Sequence, residues 1–251
     1  MNFPGSLIET LRDAQRVVIF TGAGVSQESG IPTFRDRLTG LWENFDAAEL
    51  ATPEAFDRDA ALVWGWYEWR RAAVRDALPN PAHRAIAQLA SRVPELTVVT
   101  QNVDDLHERA GSPAVLHLHG RIAHPYCEGC RRPHALGDAA TLHGAGRRIE
   151  PPRCATCRGR IRPGVVWFGE SLPLEEWRAA QTAARRADLF FCVGTSAIVQ
   201  PAASLTDLAV DAGAVTVQVN PNATGIEERV GVALRGPAGS VLPALLERTW
   251  P

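Results

Sequence analysis

Val17-Val18-Ile19-Phe20-Thr21 runs without a break into Gly22-Ala23-Gly24-Val25-Ser26-Gln27-Glu28-Ser29-Gly30, and the fold is read from this junction. Five β-branched or aromatic residues make a buried strand, and the glycines that follow let the chain turn tightly into a helix. The first two glycines also allow backbone N–H groups to approach a pyrophosphate at the helix N-terminus. An ordinary strand-to-helix turn fits the same residues, because a lone G-x-G has low specificity. Gln27 stands where the dinucleotide fingerprint of dehydrogenases has its third glycine, which disfavours hydride transfer on this segment alone.

Outward from this junction the same grammar repeats. Apolar runs at Leu96–Thr100, Val115–His119, Leu189–Gly194 and Val215–Asn220 read as strands, and Pro81–Arg92, Leu174–Ala187 and Pro201–Gly213 read as helices between them. Strands alternating with helices predict an α/β fold, a doubly wound, Rossmann-like parallel sheet covered on both faces. Ligands bind such sheets beyond the carboxyl ends of the strands. Those ends carry Thr21-Gly22, Thr100-Gln101-Asn102, His119-Gly120, Gly194-Thr195-Ser196 and Asn220, so five strand ends are expected to converge on one site. The C-terminal stretch Leu242–Arg248 reads as a closing helix.

Two stretches interrupt the alternation. One, from about Arg37 to Pro79, is helical and rich in Trp; the other, from about Arg121 to Pro163, is loop-rich and has too little apolar periodicity for a core of its own. The second holds Cys127-x-x-Cys130 and Cys154-x-x-Cys157, two knuckles whose spacing predicts one four-thiolate zinc ion. Four thiolates fill the tetrahedron, so this zinc is structural. The expected division is 1–36, 80–120 and 164–251 for the Rossmann-like sheet domain, with 37–79 and 121–163 forming a smaller helical plus zinc-binding domain. Cys192, within an apolar run, reads as a small buried hydrophobe.

Composition removes several function classes. A charged fraction of 22% and apolar runs no longer than a strand leave no membrane-spanning segment. A formal net charge of −2 argues against general nucleic-acid binding. Residues Met1–Glu9 lack a basic stretch followed by an apolar core, so the cytoplasm is the expected compartment. All 26 basic residues are Arg, and no Lys occurs in the chain.

From Gly22 through Ile31-Pro32-Thr33-Phe34-Arg35 the chain resembles the sirtuin family. The resemblance continues in family order through Thr100-Gln101-Asn102-Val103-Asp104, Leu106-His107, Ala110-Gly111, Leu118-His119-Gly120, the two cysteine knuckles, Val166-Trp167-Phe168-Gly169-Glu170 and Gly194-Thr195-Ser196. It spans nearly the whole chain. The family implies NAD as co-substrate and acylated lysines of proteins or peptides as partners. The acyl oxygen attacks the nicotinamide ribose, nicotinamide leaves, and a histidine base deprotonates a ribose hydroxyl; the products are free lysine and acyl-ADP-ribose. On position alone His107, His117 and His119 are rivals for that base, any of them suited to proton exchange near neutral pH. The L-H-G block assigns it to His119, with His117 expected on the opposite strand face. Carried over by motif, Asn102, Asp104 and Ile31 line a nicotinamide pocket and Gln101 binds ribose. Gly22, Ala23, Gly24, Ser26, Thr33, Arg35, Gly194, Thr195 and Ser196 surround the phosphates and neighbouring ribose, and Phe34 shields the reactive sugar from water. Asn220 meets the adenosine ribose and Ala238 the adenine. Val166, Phe168, Gly169 and Glu170 receive the substrate peptide as an added strand. Gly164 departs from the His often found before Val-Val-Trp.

Tyr67 and Arg70 in Trp64-Gly65-Trp66-Tyr67-Glu68-Trp69-Arg70 stand three apart and share a helix face. Pattern alone favours packed aromatics and solvated arginines. Tyr67-x-x-Arg70 nevertheless matches the signature of sirtuins that remove succinyl and malonyl groups, and an Arg fork beside a phenol suits a carboxylate. The family reading is therefore deacylation with succinyl or malonyl preferred over acetyl. A mono-ADP-ribosyltransferase on the same site and a non-catalytic NAD-sensing adaptor are the alternatives.

Overall fold

The computed structural model describes residues 1–33, 46–135 and 146–251. In chain order its strands are β1 (Arg16–Thr21), β2 (Glu95–Thr100), β3 (Val115–His117), β4 (Tyr126–Cys127), β5 (Ile161–Arg162), β6 (Leu189–Val193), β7 (Val215–Asn220) and β8 (Val232–Arg235). The helices are α1 (Gly5–Asp13), α2 (Gly24–Gln27), α3 (Ala47–Leu50), α4 (Pro53–Arg58), α5 (Ala60–Asp76), α6 (Pro81–Leu89), α7 (Leu106–Arg109), α8 (Leu174–Arg186), α9 (Ser204–Asp211) and α10 (Ala238–Thr249). Six strands form one sheet in the order β3-β2-β1-β6-β7-β8, all parallel, and β4 pairs antiparallel with β5. The order reverses between β1 and β6, the crevice in which doubly wound sheets bind ligands.

The alternation along β1 sets the two cores. Val17 and Ile19 pack with α1, α6 and α10, while Val18 and Phe20 face α8 and α9. Period-2 geometry sends neighbours to opposite faces, so a continuous apolar strand needs helices on both sides. Of the covering helices, α6 starts by design: Pro81 occupies its first turn, and the Asn80 side chain accepts from the N–H groups of Ala82 and His83. Beyond the short α7, β4 and β5, two elements that belong to the sheet and its covering helices were not expected. The helix α1 has no side-chain cap, and β8 is only four residues long, so neither leaves a strong local signal. The strand expected over Val115–His119 stops at His117, and the closing helix begins at Ala238 rather than Leu242.

A third buried cluster lies apart from the sheet. It gathers α3, α4 and α5 with residues of the cysteine module, including Phe56, Trp66, Tyr67, Ile122, Ile161 and Trp167. The earlier part of the expected helical stretch, residues 37–45, lies outside the described residues. Thr52 and Asp59 cap α4 and α5 by accepting from Ala55 and Leu62 N–H groups. Gly65 is required within α5, since a Cβ there would sit 2.0 Å from the Arg147 carbonyl oxygen. The cysteine module can therefore lie directly against this helix, with Ile149 N–H donating to Ala61 O at 2.9 Å.

The four cysteine sulfurs lie within 4.8 Å of one another, with Cys127 to Cys157 at 3.3 Å and Cys130 to Cys154 at 3.7 Å. A tetrahedron with Zn–S bonds of about 2.3 Å has edges of about 3.8 Å, so the set fits zinc. Backbone N–H groups of Cys157 and Thr156 pull the Cys154 thiol down to about 6, toward the thiolate that a metal needs. Elemental analysis is expected to find one zinc per chain. Cys127→Ser should abolish it and lower the thermal unfolding midpoint; unchanged stability in a zinc-free protein would contradict a folding role.

Candidate functional site

At the reversal point the loops after β1 and β6 cross in close contact. Gly22 N–H donates to Val193 O at 3.0 Å and Gly24 N–H to Gly194 O at 2.8 Å. A Cβ on Gly24 would lie 2.7 Å from the Gly194 carbonyl oxygen, and Gly194 itself has φ of 59°. Only glycine meets both demands. The crossing opens a cleft of about 650 Å³, in the range of small-molecule sites. Gly22, Ala23, Gly24, Ser26, Ile31, Thr33, Gln101, Asn102, Asp104, His119, Gly194, Thr195, Ser196, Asn220 and Ala238 all line it, as do Tyr67, Arg70, Val166, Phe168, Gly169 and Glu170. Phe34 and Arg35 lie outside the described residues.

The polar groups of the cleft are already ordered among themselves. Asn102 Nδ2 donates to Ser26 Oγ at 3.0 Å, Ser26 Oγ donates to Asp104 Oδ2 at 2.9 Å, and Leu106 N–H donates to Asp104 Oδ1 at 3.1 Å. Burial raises the Asp104 carboxyl, and the bonds from Leu106 and Ser26 oppose that rise. Gln101 Nε2 donates to Thr195 Oγ1 at 2.8 Å, joining the ends of β2 and β6. Beneath them Thr21 Oγ1 donates to Thr100 Oγ1 at 2.8 Å, and His107 Nε2 lies 3.0 Å from Thr21 Oγ1. Because the Thr21 proton is committed, His107 Nε2 is the donor. Burial holds the His107 ring at about 3, so this histidine is a neutral structural link.

His119 lines the cleft, and its Nδ1 is 3.0 Å from the Gln101 carbonyl oxygen. A carbonyl only accepts, so Nδ1 carries the proton and Nε2 keeps its lone pair. Burial lowers the His119 pKa, against a smaller upward pull from Gln101, and favours the neutral ring. His117 is separated from His119 for a different reason than strand alternation. Residues two apart share a strand face, but β3 ends at His117 and the chain turns through Gly120, whose φ is 74°. His117 stays buried, held by Asn102 O at 3.2 Å and Glu108 at 2.7 Å.

On the opposite wall, Val166 N–H donates to His119 O and Phe168 N–H to Ala51 O, both at 2.9 Å. Added-strand pairing here must therefore use other backbone groups of the segment. The Glu170 carboxylate is occupied by Arg162, at 2.6 and 2.8 Å, and by Trp167 N–H at 2.8 Å. Its side chain braces the wall. Gly164 has its own reason to lack a side chain, because a Cβ there would meet the His124 carbonyl oxygen at 2.0 Å. Arg162 and Trp167 were missed by sequence reading; both are buried, and Trp167 meets Tyr67 of α5 across 100 residues of sequence.

Tyr67 and Arg70 project from α5 into the cleft. Tyr67 is buried, and burial pushes its phenol up to about 12 despite the nearby Arg70, so it remains a hydrogen-bond donor at neutral pH. Arg70 packs against the Trp66 ring, 5.0 Å from its centroid.

The Sir2 family model matches residues 22–201. An NAD-dependent protein deacylase of Methylococcus capsulatus is 57% identical over 98% of this chain and 97% of its own length. NAD-dependent protein deacylase 1 of Pseudomonas aeruginosa is also 57% identical, over 98% of this chain and 99% of its own. Among solved structures, a Sir2 homologue in complex with NAD superposes with a TM-score of 0.89 at 41% identity, covering 99% of this chain and 94% of that one. A Sir2 protein with a p53 peptide and NAD gives 0.85 at 28% identity, with 97% of both chains covered. With the glycine crossing, the strand-end residues and the cysteine tetrad all within this match, the chain belongs to the Sir2 family.

Proposed function

We propose that this Sir2-family chain is an NAD-dependent protein lysine deacylase that prefers succinyl or malonyl groups and also removes acetyl. The observation that carries the reading is that one cleft holds His119, with its Nε2 lone pair left open, and a Tyr67–Arg70 pair on α5. The family match and the relatives named NAD-dependent protein deacylase support the coarser half. The acidic-acyl preference rests on the chemistry of the pair. We assign the NAD-binding unit to 1–36, 80–120 and 164–251, and the helical and zinc modules to 37–79 and 121–163.

NAD, when bound, supplies an electrophilic ribose carbon and a nicotinamide leaving group. The glycine-opened crossing of the β1 and β6 loops lets its phosphates approach the backbone closely, with the Gly22 and Gly24 N–H groups themselves spent on holding the crossing together through Val193 O and Gly194 O. Gln101, Asn102, Asp104 and Ser26 are already hydrogen-bonded into place, so they orient the nicotinamide end without reorganisation. His119 Nε2 accepts the proton of a ribose hydroxyl, while Gln101 O holds Nδ1–H and fixes the ring. Arg70 and the Tyr67 hydroxyl receive the distal carboxylate of the acyl group, a charged acceptor for two donors.

Three results are expected. His119→Ala should abolish NAD-dependent turnover while thermal midpoint and zinc content stay near wild type; near-normal turnover would remove the assigned base. Because burial lowers the His119 pKa and the base must be neutral, the acid limb of kcat/KM should lie below the ordinary histidine value of 6.5. A limb at or above that value would contradict the assignment. Arg70→Met should lower desuccinylation by about 10- to 100-fold, the loss of a charge-assisted hydrogen bond worth about 1.5–3 kcal/mol, with deacetylation falling much less. Equal losses for both acyl groups would overturn the receptor. Mass spectrometry of the products separates deacylation from ADP-ribosylation of the protein acceptor.

A further inference from the structure

Trp167 is almost entirely buried, at 2% exposure, and its indole Nε1 donates to the Tyr67 hydroxyl oxygen at 3.0 Å, across 100 residues of sequence. A phenol has one proton and accepts through its oxygen lone pairs. With Trp167 N–H on the accepting side, the Tyr67 proton must point elsewhere, and both rings line the cleft that also holds Arg70. A carboxylate can only accept, so the direction of the Tyr67 proton bears on whether an acidic acyl group is recognised.

Trp167 is itself fixed from three sides, two on its ring and one on its backbone. The Arg162 guanidinium stacks over it 3.6 Å from the ring centroid, and Phe56 packs against it at 5.3 Å. The backbone N–H of Trp167 donates to Glu170, whose carboxylate also takes two bonds from Arg162. Arg162 is in β5, the strand that closes the cysteine module against Tyr126 and Cys127 of β4. A continuous set of contacts therefore runs from the zinc knuckle through Arg162 and Trp167 to the Tyr67 hydroxyl.

We infer that Trp167 is a specificity-determining positioning residue, whose indole N–H orients the Tyr67 hydroxyl as a donor to an acidic acyl group. This rests on the acidic-acyl reading of Tyr67 and Arg70. The ring need not touch the acyl group; it acts through the phenol.

Trp167→Phe removes the N–H and retains an aromatic face for Arg162. KM for a succinyl-lysine peptide should rise about 3- to 10-fold, the loss expected for one neutral hydrogen bond, with kcat within about twofold. KM for the acetyl-lysine peptide should change less than about twofold. In a Tyr67→Phe background the same substitution should leave the succinyl-to-acetyl ratio of kcat/KM unaltered, because the group it orients is gone. If Trp167→Phe fails to fold, 3-benzothienylalanine at position 167, which replaces the N–H by sulfur and keeps the bicyclic shape, gives the same comparison. Equal KM rises for both peptides, or an undiminished effect in the Tyr67→Phe background, would overturn the inference. Should Tyr67→Phe and Arg70→Met themselves leave the ratio intact, the acidic-acyl reading fails first. Should they collapse it while neither position-167 variant does, only the role of Trp167 fails.

Discussion

Everything in the cleft is referenced to the contact between two turns of backbone, Gly22–Gly24 after β1 and Gly194–Thr195 after β6. These turns touch through Gly24 N–H to Gly194 O and exclude any Cβ at position 24. Parallel strands deliver them side by side, because the sheet order reverses there and the connections leave on opposite faces. From that crossing, Gln101 is tied to Thr195 and Asn102 to Ser26, so the end of β2 is registered against both turns. His119 is then registered against Gln101. A displacement of one turn would propagate to the proposed base through two hydrogen bonds.

The second wall is organised by different physics. The cysteine module has little apolar substance, and it is held to α5 partly by backbone contact at Gly65, where a side chain would collide with Arg147. Its inward-facing Arg162 would be costly to bury alone, at 5% exposure. The bidentate bond to Glu170 and the stacked Trp167 satisfy its charge and its planar face together. Metal, cation and indole thus form a rigid backing for Tyr67, although none of them need meet the acyl group. The zinc acts on the chemistry only through shape.

The parts of the fold legible in the sequence were those with a local physical signature. Apolar or β-branched runs at Val17, Leu96, Leu189 and Val215 announced a sheet buried on both faces, and the paired C-x-x-C spacing announced a tetrathiolate. The polar strand ends placed most of the cleft residues together, because carboxyl ends of parallel strands share one edge. What escaped was non-local or locally contrary. The first turn of α10, ahead of the expected start at Leu242, contains the poor helix former Gly239, yet Glu28 accepts from Gly239 N–H and anchors that turn. Parity along β3 gave no way to separate His117 from His119, since only the end of the strand divides them.

The same distinction explains why Glu170 and Trp167 exchanged importance between sequence and structure. Glu170 belongs to a motif visible as a short word, which placed it in the segment expected to pair with the peptide, with no task for its side chain. Its carboxylate is instead committed to Arg162 and the backbone N–H of Trp167. Trp167, which reads in that motif as one more apolar residue, directs its polar indole edge at Tyr67. A buried indole N–H needs an acceptor, and the acceptor it found is the phenol of the proposed receptor. On the proposed reading, acyl selection in this cleft is a property of two layers, a donor pair that meets the substrate and a buried ring that sets the direction in which one of those donors points.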